Sequence, residues 1–211
     1  MDNGTGVGIV LELAHAYATA HASPPHPVLF ASVTAEEKGL LGSEYLGKHL
    51  PFPAARIALG LNFDAIPPIG VPESVSVTGA ERTSFYPTVE KTAKAFGFEI
   101  QPDSEPGAGH YYRSDHFSLA RAGVPAFSIN TGVKFAGHTA EWGKAQRDDY
   151  TAKRYHNPGD EYSSAMDFSS NASLAKFGFA LGWQALLARD TVSWLPGDEF
   201  EETRFRGGSA H

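Results

Sequence analysis

A chain of 211 residues, 42% of them hydrophobic, is long enough to bury one sizeable core and short for two domains. Its formal charge of -7 and lack of Lys/Arg runs exclude the basic footprint of a nucleic-acid surface and speak against an anionic membrane surface. No apolar run reaches bilayer-spanning length, no N-terminal stretch has the form of a secretory signal, and the absence of cysteine leaves His, Asp and Glu as candidate metal ligands.

In chain order, "GTGVGIVLELAHAYATAH" (4–21) predicts a helix with Val7, Val10, Leu11, Ala14 and Ala18 on one face. "SPPHP" breaks it, and "VLFASV" (28–33), apolar without alternation, predicts a fully buried strand. "GLLGSEYLGKHL" returns to helix and stops at Pro51. "RIALGLNFDAI" (56–66) predicts a second buried strand and "SVSVTG" (74–79) a third, alternating one. "SFYPTVEKTAKAFG" predicts a helix with Pro87 in its first turn, and "DHFSLARAG" a short helix closed by Gly123. "VPAFSIN" (124–130) predicts a further strand. From Thr131 to Glu161 the chain is polar and Gly-rich with little periodicity, which predicts a long loop, either functional or disordered. "SLAKFGFALGWQALLAR" is an amphipathic helix with Leu174, Phe177, Leu181, Ala185 and Leu186 on its buried side, and the polar tail after Trp194 is expected to fray at "RGGSAH". The alternation implies a layered α/β fold, helices on both faces of a mostly parallel or mixed sheet. It divides into a single domain over 1–195 and a polar tail over 196–211.

In open α/β sheets ligands bind beyond the carboxyl ends of the strands, and acidic residues gather at such places here. Glu36 and Glu37 follow "VLFASVTA", Asp64 ends "IALGLNFD", and Asp2 precedes the first helix. Glu36 and Glu37 alone read as acids suiting a helix N-terminus, and "DNG" as a turn with Asn3 as helix cap. If the strand ends converge, four carboxylates share one cleft, which requires either protonation or a cation. Divalent metals that accept carboxylate oxygen also take His nitrogen. Of the nine histidines, His15 and His21 lie on or near the first helix, His26 in a Pro-rich turn, His49 in a last helical turn and His211 in the tail. His156 differs: it follows the polar stretch and precedes a tight "NPGD" turn, which suits a ligand held at a cleft edge.

"DNGTG", "TAEEKGLLGS", "LNFD", "YRSDHFSLARAGVPAFSI" and "YHNPGDEY", in that order, resemble the co-catalytic zinc aminopeptidases of metallopeptidase clan MH, over roughly Asp2 to Leu187. Glutaminyl cyclases and the protease-like domain of transferrin receptor belong to the same superfamily. The resemblance implies a zinc-exopeptidase-like fold and hydrolysis of peptide substrates from their N-terminus. It implies that Asp2 bridges two metal ions, that Glu37 and His156 complete one metal's ligands, that Asp64 belongs to the other, and that Glu36 is the general base. A division of labour between adjacent glutamates is chemically sound, because neighbouring side chains point apart and one can hold metal while the other handles a proton. Ser114 and Asp115, with His116, match a segment near the family site, and a phenol of Tyr111 or Tyr112 would be able to donate to an oxyanion or else pack in a core rim. His138 reads as a solvated loop residue, and Phe135 and Trp142 as pocket wall or ordinary packing.

The family pattern also carries an upstream His-x-Asp, which does not stand before Met1. The expectation is therefore a chain incomplete at its N-terminus, without the first strands of the sheet. It would hold one well-formed zinc site (Asp2, Glu37, His156) beside an incomplete second one (Asp2, Asp64). The same trio is also compatible with a single-zinc, glutaminyl-cyclase-like acyltransferase, or with a non-catalytic protease-like domain. Relatives are often secreted; oligomeric state is not legible.

Overall fold

Four short strands, none longer than six residues, carry the architecture of the computed structural model, which describes residues 1–102, 107 and 109–206. In chain order the elements are α1 (Gly4–Thr19), α2 (Leu41–Lys48), β1 (Gly60–Phe63), β2 (Ser74–Ser76), α3 (Tyr86–Phe96), β3 (Glu99–Ile100), α4 (His116–Arg121), β4 (Ala126–Thr131), α5 (Ala140–Lys153), α6 (Ser169–Leu187) and α7 (Thr203–Arg206). The strand order is β1-β4-β2-β3, with β1–β4 and β2–β3 parallel and β2–β4 antiparallel. The sheet is thus mixed, and helices cover both of its faces.

The period-two rule sorts the two layers. On β4, Phe127 and Ile129 are fully buried against Ile9 and Leu13 of α1 and Leu174, Phe177 and Leu181 of α6. Ala126, one residue before Phe127 and so out of phase with that pair, faces the other way with Gly60, its partner in the β1–β4 register. A Cβ on Gly60 would stand 3.1 Å from both Ala126 and Leu119, so the missing side chain lets α4 lie close on that face. Pro87 sits at the first turn of α3 and Gly97 closes it at φ 75°, as the sequence pattern requires.

Four expectations need correction. Residues 28–33 form no strand: they have no ladder partner among the described residues, and Leu29 is 59% exposed. Only Phe30 reaches the core, its ring 5.8 Å from that of Tyr17. Apolar composition says what a strand would bury, whereas a strand also needs a neighbour to bond its N–H and C=O groups. The third strand ends at Ser76 rather than Gly79.

On α1 the buried face is Thr5, Gly6, Ile9 and Leu13, while Val7 and Leu11 are exposed. A helix apolar on nearly every side gives periodicity nothing to choose between. Finally, the supposed loop 131–161 contains the 14-residue α5. This helix has no apolar stripe. Thr139 caps it by accepting the Trp142 N–H at 3.3 Å, Lys144–Asp148 and Lys153–Asp149 pair at i,i+4 spacing, and Gly143 and Tyr150 are its buried residues.

Beyond Trp194 the chain folds back onto the body. The Arg82 guanidinium binds Asp198 at 2.7 and 3.1 Å, Phe200 is buried beside Trp194, and Arg204 donates to the Ala55 and Ile57 carbonyls. The end of "RGGSAH", where fraying is expected, lies outside the described residues.

Candidate metal centre

The start of α1 is tied to the end of β1 by side chains of the "DNGTG" segment. Asn3 Oδ1 accepts the N–H groups of Gly6 at 3.0 Å and Ala65 at 3.1 Å, and Asn3 Nδ2 donates to the Phe63 carbonyl at 3.1 Å. Thr5 Oγ1 accepts the Ile66 N–H at 3.1 Å. Gly6 permits this contact, since a Cβ there would lie 2.2 Å from the Phe63 carbonyl oxygen. Asp2 is thereby set beside Asp64.

Glu36 and Glu37 occupy a short 3-10 turn, Glu36–Lys38, rather than a helix start. Ala35 before it and Leu40 after it are both left-handed, at φ 56° and 61°. Ala65, directly after Asp64, and His156 itself share that conformation. Among the described residues these are all the non-glycine residues with positive φ, and all four border the acidic cluster. Such backbone persists where surrounding structure holds it, characteristically at functional sites.

His156 Nε2 lies 2.8 Å from Glu37 Oε1 and 3.4 Å from Asp2 Oδ2, and Tyr155 stacks on the imidazole at 3.7 Å. One ligand atom from each of Asp2, Glu37 and His156 falls within 4.8 Å of the others. Asp64 belongs to a neighbouring network: Ser114 Oγ donates to Asp64 Oδ2 at 2.8 Å and accepts from Asn62 Nδ2, while Asn130 Nδ2 donates to the Asp64 carbonyl. Burial, then the charges of Asp64 and Glu37, push the Asp2 carboxyl above the usual range although His156 opposes them. Burial, then Asp64, Glu37, Asp115 and Asp2, push Glu36 up to about 7. The cluster thus carries more negative charge than it neutralises internally. Two carboxylates and an imidazole converging in such a field fit a divalent cation of the zinc type.

The remaining sequence candidates divide. Tyr111 is buried, its hydroxyl donating to the Ala126 carbonyl and its ring under the Arg82 guanidinium. Tyr112 is exposed and donates to Glu199 at 2.6 Å. Ser114 supports Asp64. Asp115 is half-buried, raised first by burial, and its Oδ1 has no hydrogen-bond partner. Phe135 packs in the interior edge-on to Trp142, on which His138 stacks at 3.7 Å. Asp160 was not anticipated as a site residue. Its Oδ2 accepts the Asp2 N–H at 2.8 Å, the Met1 amine at 2.6 Å and the Tyr150 hydroxyl at 3.0 Å. The available signal was its place four residues after His156 in the same tight turn, closed by Asp160 N–H to the Asn157 carbonyl at 3.0 Å.

A mixed sheet between helices, with two carboxylates and a histidine gathered beside β1, describes a layered α/β domain with a candidate metal centre at the carboxyl end of a strand. The sequence profile of peptidase family M28 matches residues 1–178, and the chain belongs to that family. It is 29% identical over 211 residues to leupeptin-inactivating enzyme 1 of Streptomyces exfoliatus, covering 96% of this chain and 44% of that protein. Its fold is similar to the LapA aminopeptidase of Legionella pneumophila, with TM-score 0.65 and 18% identity over 90% of this chain and 47% of that one. It is also similar to BSAP, a zinc aminopeptidase from Bacillus subtilis, with TM-score 0.61 and 20% identity over 87% of this chain and 41% of that one. The chain therefore spans less than half the length of these relatives.

Proposed function

We propose that this chain performs zinc-dependent aminopeptidase chemistry, with Asp2, Glu37 and His156 holding one zinc ion and Glu36 acting as general base. The observation that carries the reading is the convergence of those three ligand atoms within 4.8 Å, beside a carboxyl poised near neutrality. Membership of peptidase family M28 and likeness to structures described as aminopeptidases support it.

Zinc bound there supplies Lewis acidity toward a peptide carbonyl and acidifies water. Glu36, beside the ligand trio and lining the same cleft, is the carboxylate placed to take a proton from the attacking water and return it to the departing amine. Ser114 fixes Asp64 through Asp64 Oδ2, and Asn130 fixes the same residue's backbone, so the carboxylate that presses hardest on Asp2 and Glu36 is held in one place. Peptide hydrolysis then needs no covalent intermediate on the chain.

The test combines zinc analysis of the purified chain with release of N-terminal residues from aminoacyl reporters. One tightly held zinc per chain and N-terminal hydrolysis are expected. Two tightly held ions contradict the single-site assignment. Cyclisation of N-terminal glutamine peptides without hydrolysis replaces peptide hydrolysis by acyl transfer, and no turnover of any kind by the zinc-loaded chain removes the enzymatic reading.

A further inference from the structure

A cleft of about 580 Å³ adjoins Glu36, Glu37 and His156, and its far wall is basic. The wall comes from the segment leading into and along α4, where Arg113, Phe117 and Arg121 recur at four-residue spacing. All three line the cleft, and both arginines are exposed. The Arg121 guanidinium stands over the Phe117 ring at 5.8 Å, and Tyr112 packs edge-on to the same ring at 5.2 Å. Among the described residues Arg113 makes no ion pair. Glu44 also lines the cleft, but Lys48 binds it at 2.8 Å and Arg121 faces it, so its charge is met on both sides.

Asp115, at the N-terminal end of α4, is near enough to Glu36 for its charge to act on that carboxyl. Arg121 lies six residues further, about 9 Å along the axis at 1.5 Å per residue. An extended peptide advances ~3.3–3.6 Å per residue. A chain cleaved beside Glu36 and running along α4 draws level with Arg121 after about three residues, and Arg113, two residues before Asp115, lines the same cleft. Guanidinium recognises carboxylate through paired donors, and no other exposed cation lines the cleft among the described residues.

We propose that Arg113 and Arg121 bind the free C-terminal carboxylate of the substrate, so that the substrate class is short peptides of two to four residues rather than the N-termini of intact proteins. This rests on the aminopeptidase reading of the same site. Recognition has two ends: the reacting N-terminal residue at the acidic end of the cleft and the carboxylate at the basic end.

The test compares Leu-Gly-Gly with its C-terminal amide on the zinc-loaded chain, by kcat/KM and by calorimetric binding. The free acid is expected to be favoured at least about tenfold, in line with one charge-assisted recognition, and the preference to shrink as salt rises. Changing Arg113→Gln and Arg121→Gln together brings the acid down to the level of the amide. Equal binding of acid and amide overturns the inference, as does equal cleavage of a folded protein's free N-terminus. A Leu-Gly-Asp amide that matches the free acid moves recognition to an acidic side chain and overturns the length restriction. If neither peptide is hydrolysed but the acid still binds about tenfold more tightly, the aminopeptidase reading fails while the carboxylate subsite stands.

Discussion

Asp160 Oδ2 accepts the backbone N–H of Asp2 at 2.8 Å, so the turn that presents His156 also fixes the backbone of the carboxylate opposite it. Tyr150 of α5 holds the same oxygen at 3.0 Å, which couples that polar helix to the metal centre. Replacing Asp160 by Ala removes the acceptor and frees Asp2 to turn. Zinc affinity is expected to fall by about 10- to 100-fold, the usual cost of losing a group that orients a ligand. Asp160→Asn, which keeps an acceptor oxygen, should lie between Ala and the native chain. Competition against a chromophoric chelator measures this directly. Native affinity in Asp160→Ala would mean that Asp2 is positioned by α1 alone.

Gly6 and Gly8 share a helix and differ in what stands beside them. A Cβ on Gly6 meets the Phe63 carbonyl oxygen at 2.2 Å, whereas a Cβ on Gly8 meets nothing within 4 Å. Gly6→Ala must push α1 away from β1, breaking the Asn3 bonds that place Asp2. A loss of about 1–3 kcal/mol is expected from the overpacking, together with weaker zinc binding. Gly8→Ala should be neutral or add up to about 1 kcal/mol by helix propensity. Urea unfolding of the two variants decides the matter. Similar behaviour at both positions would contradict the close contact.

Glu36 and His156 are assigned different tasks within one cluster, and substitution separates them. Glu36→Gln should leave zinc bound and lower kcat by about 10²–10⁴, the range for a lost general base. His156→Ala removes the single nitrogen donor of the trio and should lose both zinc and turnover. Metal content and kinetics on the same preparations test the division. If Glu36→Gln releases the zinc, the two adjacent glutamates have been given each other's roles.

The elements legible in the sequence were those whose local signals agree with their packing. α3 has Pro at its start and Gly at its end, and α6 carries Leu174, Phe177, Leu181 and Ala185 on one stripe that is indeed buried. β4 combines alternating burial with flanking turns. What escaped depends on partners. Residues 28–33 have a strand's composition but no ladder, α5 is held by a cap and ion pairs that no hydrophobic period reveals, and α1 is apolar around most of its circumference. At the site, Asp2, Glu37 and His156, which the resemblance named as ligands, each offer one atom within 4.8 Å of the others. Asp160 escaped because its role is to bond a backbone N–H, and nothing in a residue's type announces that.

His116 is a buried group outside the metal chemistry, and it sets an acid limit on stability. It is 2% exposed, both ring nitrogens lack hydrogen-bond partners, and Tyr111 meets it edge-on at 4.7 Å. Burial, reinforced by the charge of Arg82, lowers its pKa to about 3. The unfolded chain titrates near the ordinary value of about 6.5. Between those two values the unfolded state binds a proton that the folded state refuses, so stability falls as pH drops through this window and is unaffected above it. The slope from this residue is about 1.4 kcal/mol per pH unit. Glu36 and Asp2 act oppositely: their raised folded pKa values mean that the folded state takes up protons first, which favours folding as pH falls toward their unfolded values. The measurement must therefore be a difference. His116→Phe removes the titrating ring at similar volume, and any packing cost it adds is independent of pH. Denaturant unfolding of native and variant chains should give a constant difference above about pH 7, shifting in the variant's favour by about 2.3 kcal/mol between pH 6.5 and 4.5. A difference that does not change over that range would show that His116 is protonated in the folded chain as easily as in the unfolded one.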